Sequence, residues 1–253
     1  MQDEINDLVI GFIEDYKLRH SIQTKWRDPL LGFANAKDPI FQQLKQVVDE
    51  DHKLPQEMLE NANSVISFFI PFNDGVVLSN SNGINASEKW AIAYVETNKV
   101  ITELSKFLTN FLKDKKYNCV EIAPTHNFDK KKLKSYWSHK HAAYVAGLGK
   151  FGLHKMLITE KGCCGRLGSL ITSAIIDATE RNEDNYCLYF QDGSCTQCVD
   201  RCSFDALHID SFDRHKCYEI CLRNGQLYSN LGKSDMCGKC ACGIPCSLKN
   251  PCK

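Results

Sequence analysis

All but three of the 14 cysteines in this 253-residue sequence lie from Cys187 onward. They form two groups. The first runs Cys187, seven residues, Cys195, two residues, Cys198, three residues, Cys202. The second runs Cys217, then Cys237, two residues, Cys240, five residues, Cys246. Thiolates are soft ligands, and gaps this short place several of them on one metal centre. A two-residue gap lets one turn of backbone aim two sulfurs at the same centre. A three-residue gap carries the next cysteine past it. Two-cluster ferredoxins use C-x2-C-x2-C-x3-C, with the fourth thiolate on the other cluster. The stretch "CTQCVDRC" keeps the last two of those gaps; Asp192 stands where the first cysteine belongs, and Cys187 lies upstream to reach in. The crossover assigns Cys187, Cys195, Cys198 and Cys246 to one 4Fe–4S cluster. It assigns Cys202, Cys217, Cys237 and Cys240 to a second. Ser203 and Ser247 replace the usual following prolines, which costs no ligand. Cys221, Cys242 and Cys252 are left over, the first two as alternates, and Cys119, Cys163 and Cys164 read as core thiols. Eight cysteines also satisfy two structural zincs. The crossover spacing and the shortage of histidine partners in the segment favour iron–sulfur.

The rest of the composition bounds the class. Lys+Arg and Asp+Glu balance at 31 each, so no global field draws the chain to nucleic acid or an anionic membrane. Apolar residues make up 43%, an ordinary globular content, and no run reaches the roughly 18 apolar residues of a membrane span. The N-terminus starts acidic and lacks a basic region followed by an apolar one, so a cytoplasmic location is expected. There, clustered cysteines are ligands rather than disulfides.

The elements that must position these thiols are legible in the apolar patterning. Ile5, Leu8, Val9, Phe12, Ile13 and Tyr16 recur at helical spacing. "NSVISFFIPF" (63–72) predicts a strand, preceded by a short helix in "LPQEMLENA". From Ser87, an N-cap, an apolar stripe from Trp90 to Phe111 predicts a helix of roughly 25 residues. "NCVEIAP" (118–124) and "SLITSAIID" (169–177) predict two more strands. "DKKKLK" (129–134) reads as a solvated helix face. This mixture predicts an α+β, sandwich-like body over residues 1–184. Residues 185–253 lack apolar periodicity and are expected to form a ferredoxin-like two-cluster module held by metal–thiolate bonds.

A second signal lies in "WSHKHAAYVAGLGKFGLHKMLIT". Gly147, Gly149 and Gly152 suit a tight turn or the close approach of a ligand to backbone. The spacing is not a dinucleotide fingerprint. His139 and His141 flank Lys140 just before the turn, and His141 is a candidate to face a cofactor.

"NSVISFFIPF", "SEKWAIAYVETNK", "VEIAP", "HAAYVAGLGKFGLHKMLIT" and the two cysteine groups, in this order, resemble the epoxyqueuosine reductase family. The likeness is strongest to its short, anaerobe-type iron–sulfur members, and the family is related to reductive dehalogenases. The resemblance implies a cobalamin-binding body joined to two 4Fe–4S clusters, which pass electrons from a low-potential donor, a ferredoxin or flavodoxin, to cobalt. It implies Gly147, Gly149, Gly152 and His141 at the corrinoid. It implies Glu121 as proton donor, in place of the family's aspartate, and His126 over the same cleft. Burial is expected to lift the Glu121 pKa. Zero net charge and a short segment after Cys246 disfavour tRNA and favour a small or nucleoside-like substrate. The competing reading is an electron-transfer protein with no substrate of its own. A body of roughly 180 residues is far more than a two-cluster ferredoxin requires, which argues for a pocket and a reductase.

Overall fold

Ser64–Pro71 is buried at every position, on both sides of the strand. In an antiparallel sheet that happens only when both faces are covered. The computed structural model, which describes every residue except His126, shows how. Helix α1 (Gln2–Arg19) leads to strand β1 (Leu30–Asn35), helices α2 (Pro39–Val47) and α3 (Pro55–Met58), and strand β2 (Ser64–Pro71). Helices α4 (Asp74–Ser79) and α5 (Glu88–Asp114) precede strands β3 (Cys119–Glu121), β4 (Phe128–Asp129) and β5 (Lys134–Ser135). Helix α6 (His139–Val145) and strands β6 (Gly149–Phe151), β7 (Leu157–Thr159) and β8 (Gly165–Thr172) complete the body. Helices α7 (Leu188–Asp192), α8 (Gln197–Asp200) and α9 (Arg214–Leu227) follow, with single helical turns at Ser229–Leu231 and Lys239–Ala241.

The main sheet has the order β1-β2-β8-β3, antiparallel throughout. Ile66, Phe68 and Ile70 join a core with Ile5, Val9, Ile101 and Leu104 of α1 and α5. Val65 and Ile171 point the other way, into a core with Phe41, Trp137, Ala142 and Val145. The period-2 alternation of a strand thus feeds two helix layers, and the body is an α–β–α sandwich.

The long helix forms as its sequence predicts. The Ser87 hydroxyl accepts the Trp90 N–H at 3.2 Å, and the stripe from Trp90 through Leu112 is buried. Residues 129–134, expected as a helix face, are instead the tip of the β4–β5 hairpin. Leu133 takes a left-handed conformation there (φ 51°). Lys132 pairs with Asp49 and Asp51, and Lys134 with Asp49. Those carboxylates offer the lysines a fixed partner that an isolated helix would not. Strand β8 starts four residues before the expected one and stops at Thr172. Gly165 and Gly168 disguise its start, and both make room for the rings of Phe69 and Phe68.

The cysteine-rich segment does not stand apart. Leu207, Met236, Ala241, Cys242, Ile244 and Cys246 belong to the same core as α1 and α5. The backbone N–H groups of Cys163 and Cys164 donate to the carbonyls of Cys246 and Ser247. Arg27 donates to the carbonyls of Phe72, Lys161 and Leu248, tying three loops together. Lys239 is 2% exposed, its ammonium seated on the Asn80 and Asn82 carbonyls. A charge this deep is tolerated only with such partners.

Candidate functional site

Two sets of thiols face two adjacent spaces. Cys187 caps α7, Cys195 precedes α8 and Cys198 lies within it. The structure gathers these three with Cys246 around a small chamber closed by Leu153, Ile244 and Pro251. Cys202, just beyond α8, faces the other way. It lines a cavity of about 350 Å³ together with Cys217, Cys221, Cys237 and Cys240. All of these cysteines are free thiols.

Buried thiols in each set are held in their neutral form by burial and by one another. Burial, and then the neighbouring Cys246, Cys187 and Cys195, push the Cys198 thiol up to about 12. Burial first, then Cys237, Cys217 and Cys202, raises Cys240 in the same way. Thiols that neither ionise readily nor reach water are poor partners for one another. A bound cation reverses that balance by stabilising the thiolates. The donor sets therefore fit sulfur-ligated metal clusters. Within the second set, the Cys221 S–H bonds the Cys217 sulfur; this bond, aided by Lys140, lowers Cys217 to about 7. The same bond, with burial, raises Cys221.

The cavity lining also carries polar groups. The Tyr94 hydroxyl donates to Asp235 at 3.3 Å and meets the Thr125 hydroxyl at 3.2 Å. The Arg166 guanidinium lies 4.3 Å from the centre of the Tyr94 ring, held by Asn98 and the Pro124 carbonyl. Lys140, whose pKa burial lowers, donates to the Lys155 carbonyl. Asp235 also borders an open cleft of about 700 Å³ containing Tyr218 and Lys233. Lys233 and Thr125 border a further one of about 420 Å³.

No protein-family model matches the sequence, and no curated protein matches it significantly. Solved structures do match the fold. Epoxyqueuosine reductase from Bacillus subtilis superposes with a TM-score of 0.57 at 18% identity, over 96% of this chain and 66% of that one. An epoxyqueuosine reductase bound to an epoxyqueuosine-modified tRNA stem loop gives 0.58 at 19% identity, over 96% and 66%. A catabolic reductive dehalogenase in complex with 3-bromo-4-hydroxybenzoic acid gives 0.60 at 15%, over 87% of this chain and 30% of that one. The chain has the epoxyqueuosine reductase fold. It spans about two thirds of the length of those reductases.

Within the epoxyqueuosine reductase fold, the other residues singled out in the sequence are dispersed. Glu121 ends the three-residue edge strand β3 and is exposed, not buried as expected. It does not line the cavity. His126 lies outside the described residues. Gly147 and Gly149 border a crevice of about 10 Å³ with Tyr144 and Arg181. A Cβ on Gly149 would strike the Ile158 carbonyl at 2.0 Å, and one on Gly152 would strike the His154 ring at 2.8 Å. Both serve internal packing. His141 bonds the Ser138 hydroxyl and packs on Phe151 at 4.7 Å, and burial takes its pKa down to about 3. Tyr94, Lys140 and His154 line the cavity without having been read as site residues. Tyr94 falls on the apolar stripe of α5 and so reads as core. Only the fold shows that the stripe opens onto a cavity at that turn.

Proposed function

We propose that the protein is an iron–sulfur reductase of the epoxyqueuosine reductase type. Cys187, Cys195, Cys198 and Cys246 would hold one 4Fe–4S cluster, and Cys202, Cys217, Cys237 and Cys240 a second. A corrinoid would occupy the cavity and its open clefts, where there is room that the Gly147–Gly149 crevice lacks. Tyr94 and Tyr218 supply flat surfaces there, and Arg166 and Lys233 supply cations for amide or phosphate groups. When bound, these groups supply low-potential electrons and a reactive metal centre. The chain's own residues do the rest. Tyr94 holds a proton at the cavity wall, oriented by Asp235 and Thr125, with the Arg166 guanidinium over its ring.

The observation that carries this reading is two adjacent groups of free thiols, Cys187, Cys195, Cys198 and Cys246 around a small chamber and Cys202, Cys217, Cys221, Cys237 and Cys240 on a cavity of about 350 Å³. Beyond the space a cluster would fill, the cavity meets an open cleft of about 700 Å³ at Asp235, which a carrier of electrons with no substrate does not need. The substrate is a small or nucleoside-like molecule, and a nucleoside within a tRNA loop stands as the larger variant of the same chemistry. The donor is a ferredoxin or flavodoxin. Among the described residues, no helix is long and apolar enough to cross a membrane. A second reading rests on His154, Cys163 and Cys246, whose ligand atoms lie within 4.8 Å of one another, close enough for a single zinc.

Anaerobic purification with iron, sulfide, zinc and cobalamin measured together tests the proposal. About eight irons and eight sulfides per chain, and stoichiometric retention of added cobalamin, are expected. A colourless chain containing only zinc would end it, and clusters without cobalamin would leave an electron-transfer protein.

A further inference from the structure

His154 stands in the wall between the two thiol sets. Its ring borders both the chamber of Cys187, Cys195, Cys198 and Cys246 and the larger cavity. It is 4% exposed. Its Nε2 lies 3.3 Å from the Cys246 sulfur. Its Nδ1 lies 3.1 Å from the Met156 backbone nitrogen. A backbone N–H can only donate, so Nδ1 must accept. The proton of the neutral ring is then on Nε2, and Nε2–H donates to sulfur. The same tautomer removes Nε2 as a metal ligand, which argues against a mononuclear site at His154, Cys163 and Cys246.

The loop is built to hold this ring. Gly152 lacks the Cβ that would collide with it. The Gly152 N–H donates to the Met156 carbonyl at 2.9 Å, closing the turn, and Lys155 takes a left-handed conformation (φ 63°) within it. The Lys140 ammonium clamps the Lys155 carbonyl at 3.0 Å. A non-glycine residue in that conformation persists only where its surroundings impose it. Among the described residues, none of Cys187, Cys195 and Cys198 accepts a comparable side-chain N–H.

We infer that His154 is a positioning residue that sets the reduction potential of the cluster held by Cys187, Cys195, Cys198 and Cys246, by donating a fixed N–H to the Cys246 thiolate. This rests on the cluster reading above. A donor on a ligand sulfur stabilises the reduced, more negatively charged state and so raises its potential. The donor here is a side chain, whereas Cys202 of the other set accepts the Ala206 backbone N–H at 3.3 Å, so among the described residues the imidazole is a side-chain N–H donor that this set alone has.

The test is a redox titration followed by electron paramagnetic resonance, on the full chain purified anaerobically, with iron and sulfide counted. His154→Phe keeps a ring and removes the donor; His154→Gln restores an N–H. In His154→Phe, about eight irons should remain, one midpoint should move to more negative potential and the other should stay. His154→Gln should bring the moved midpoint back toward that of the unaltered chain. Full iron with both midpoints unmoved in His154→Phe would overturn the inference and leave the cluster reading intact. Loss of about four irons in both variants would also overturn it, making His154 a ligand or a structural prop. An unaltered chain without iron would fail at the cluster reading itself, so the two failures are told apart by its iron content.

Discussion

The Nε2 of His139 lies 2.9 Å from the carbonyl oxygen of Ala123, pinning the segment after β3 to α6. Its Nδ1 meets the Ser169 hydroxyl at 2.7 Å, and that hydroxyl also accepts the Trp137 indole N–H at 2.9 Å. Both ring nitrogens are thus committed, Nε2 as donor and Nδ1 as acceptor, and the ring must be neutral. The pinned segment carries Pro124 and Thr125 to the cleft beside Tyr94.

This arrangement makes stability pH-dependent. Burial takes the His139 pKa down to about 4, against about 6.5 in an unfolded chain. A depressed histidine contributes stability that is fully present above about pH 6.5 and is lost as pH falls through about 4, because the unfolded state takes up the proton first. The loss from His139 alone is on the order of 3 kcal/mol. His141 acts in the same direction. Urea unfolding at pH 7, 6 and 5 should show stability falling, with a shallower fall in His139→Gln. Parallel slopes in the two proteins would show that His139 is not the titrating group.

Removal of single thiols should separate ligands from bystanders. Cys198→Ser should cut iron by about half, since the set it shares with Cys187, Cys195 and Cys246 loses its most buried helical member. Cys217→Ser should also halve the iron, whereas Cys221→Ser should keep it. Both Cys217 and Cys221 line the cavity with Cys202, Cys237 and Cys240, and the sequence spacing assigns the ligand role to Cys217. Iron and sulfide analysis of the three variants decides this; halved iron in Cys221→Ser would exchange the two assignments.

The proton donor can be located by contrast. Tyr94→Phe should leave the cluster spectra unchanged and slow turnover by about 10²–10⁴. Glu121→Gln should change turnover by less than about twofold, because an exposed carboxylate at a sheet edge has no privileged access to a buried site. Oxidation of reduced viologen against a panel of nucleoside and tRNA substrates supplies the rate. The reverse order of effects would return the role to Glu121.

The sequence was most informative where one physical constraint acts alone. Helix α5 is legible because a single apolar stripe and one capping serine determine it. The short gaps within each cysteine group are legible because they are local, although which thiols share a chamber depends on residues such as Cys246 that lie far along the chain. The β4–β5 hairpin was not, because Lys132 and Lys134 answer to Asp49 and Asp51, some eighty residues away. His154 was not either: its partners Met156 and Cys246 are one near and one far, and a histidine among apolar residues carries no mark of its tautomer. Gly152 was read as a place for a ligand, and its missing side chain instead makes room for that imidazole.

The same contrast applies to the glycines of the core, and it can be measured. A Cβ on Gly168 would lie 2.4 Å from the Phe68 ring and 2.9 Å from Ile101, between β8 and α5. Phe68 and Ile101 are fully buried and have nowhere to move. Gly168→Ala should therefore destabilise by about 1–3 kcal/mol through overpacking. Gly11, on the exposed side of α1, has nothing within 4 Å of its added Cβ. Gly11→Ala should stabilise by roughly 0.5–1 kcal/mol, since alanine restricts the unfolded chain and suits a helix. Thermal melts of the two variants should move in opposite directions. A Gly168→Ala protein that melts with the unaltered chain would mean that β8 and α5 pack more loosely than the sandwich described here.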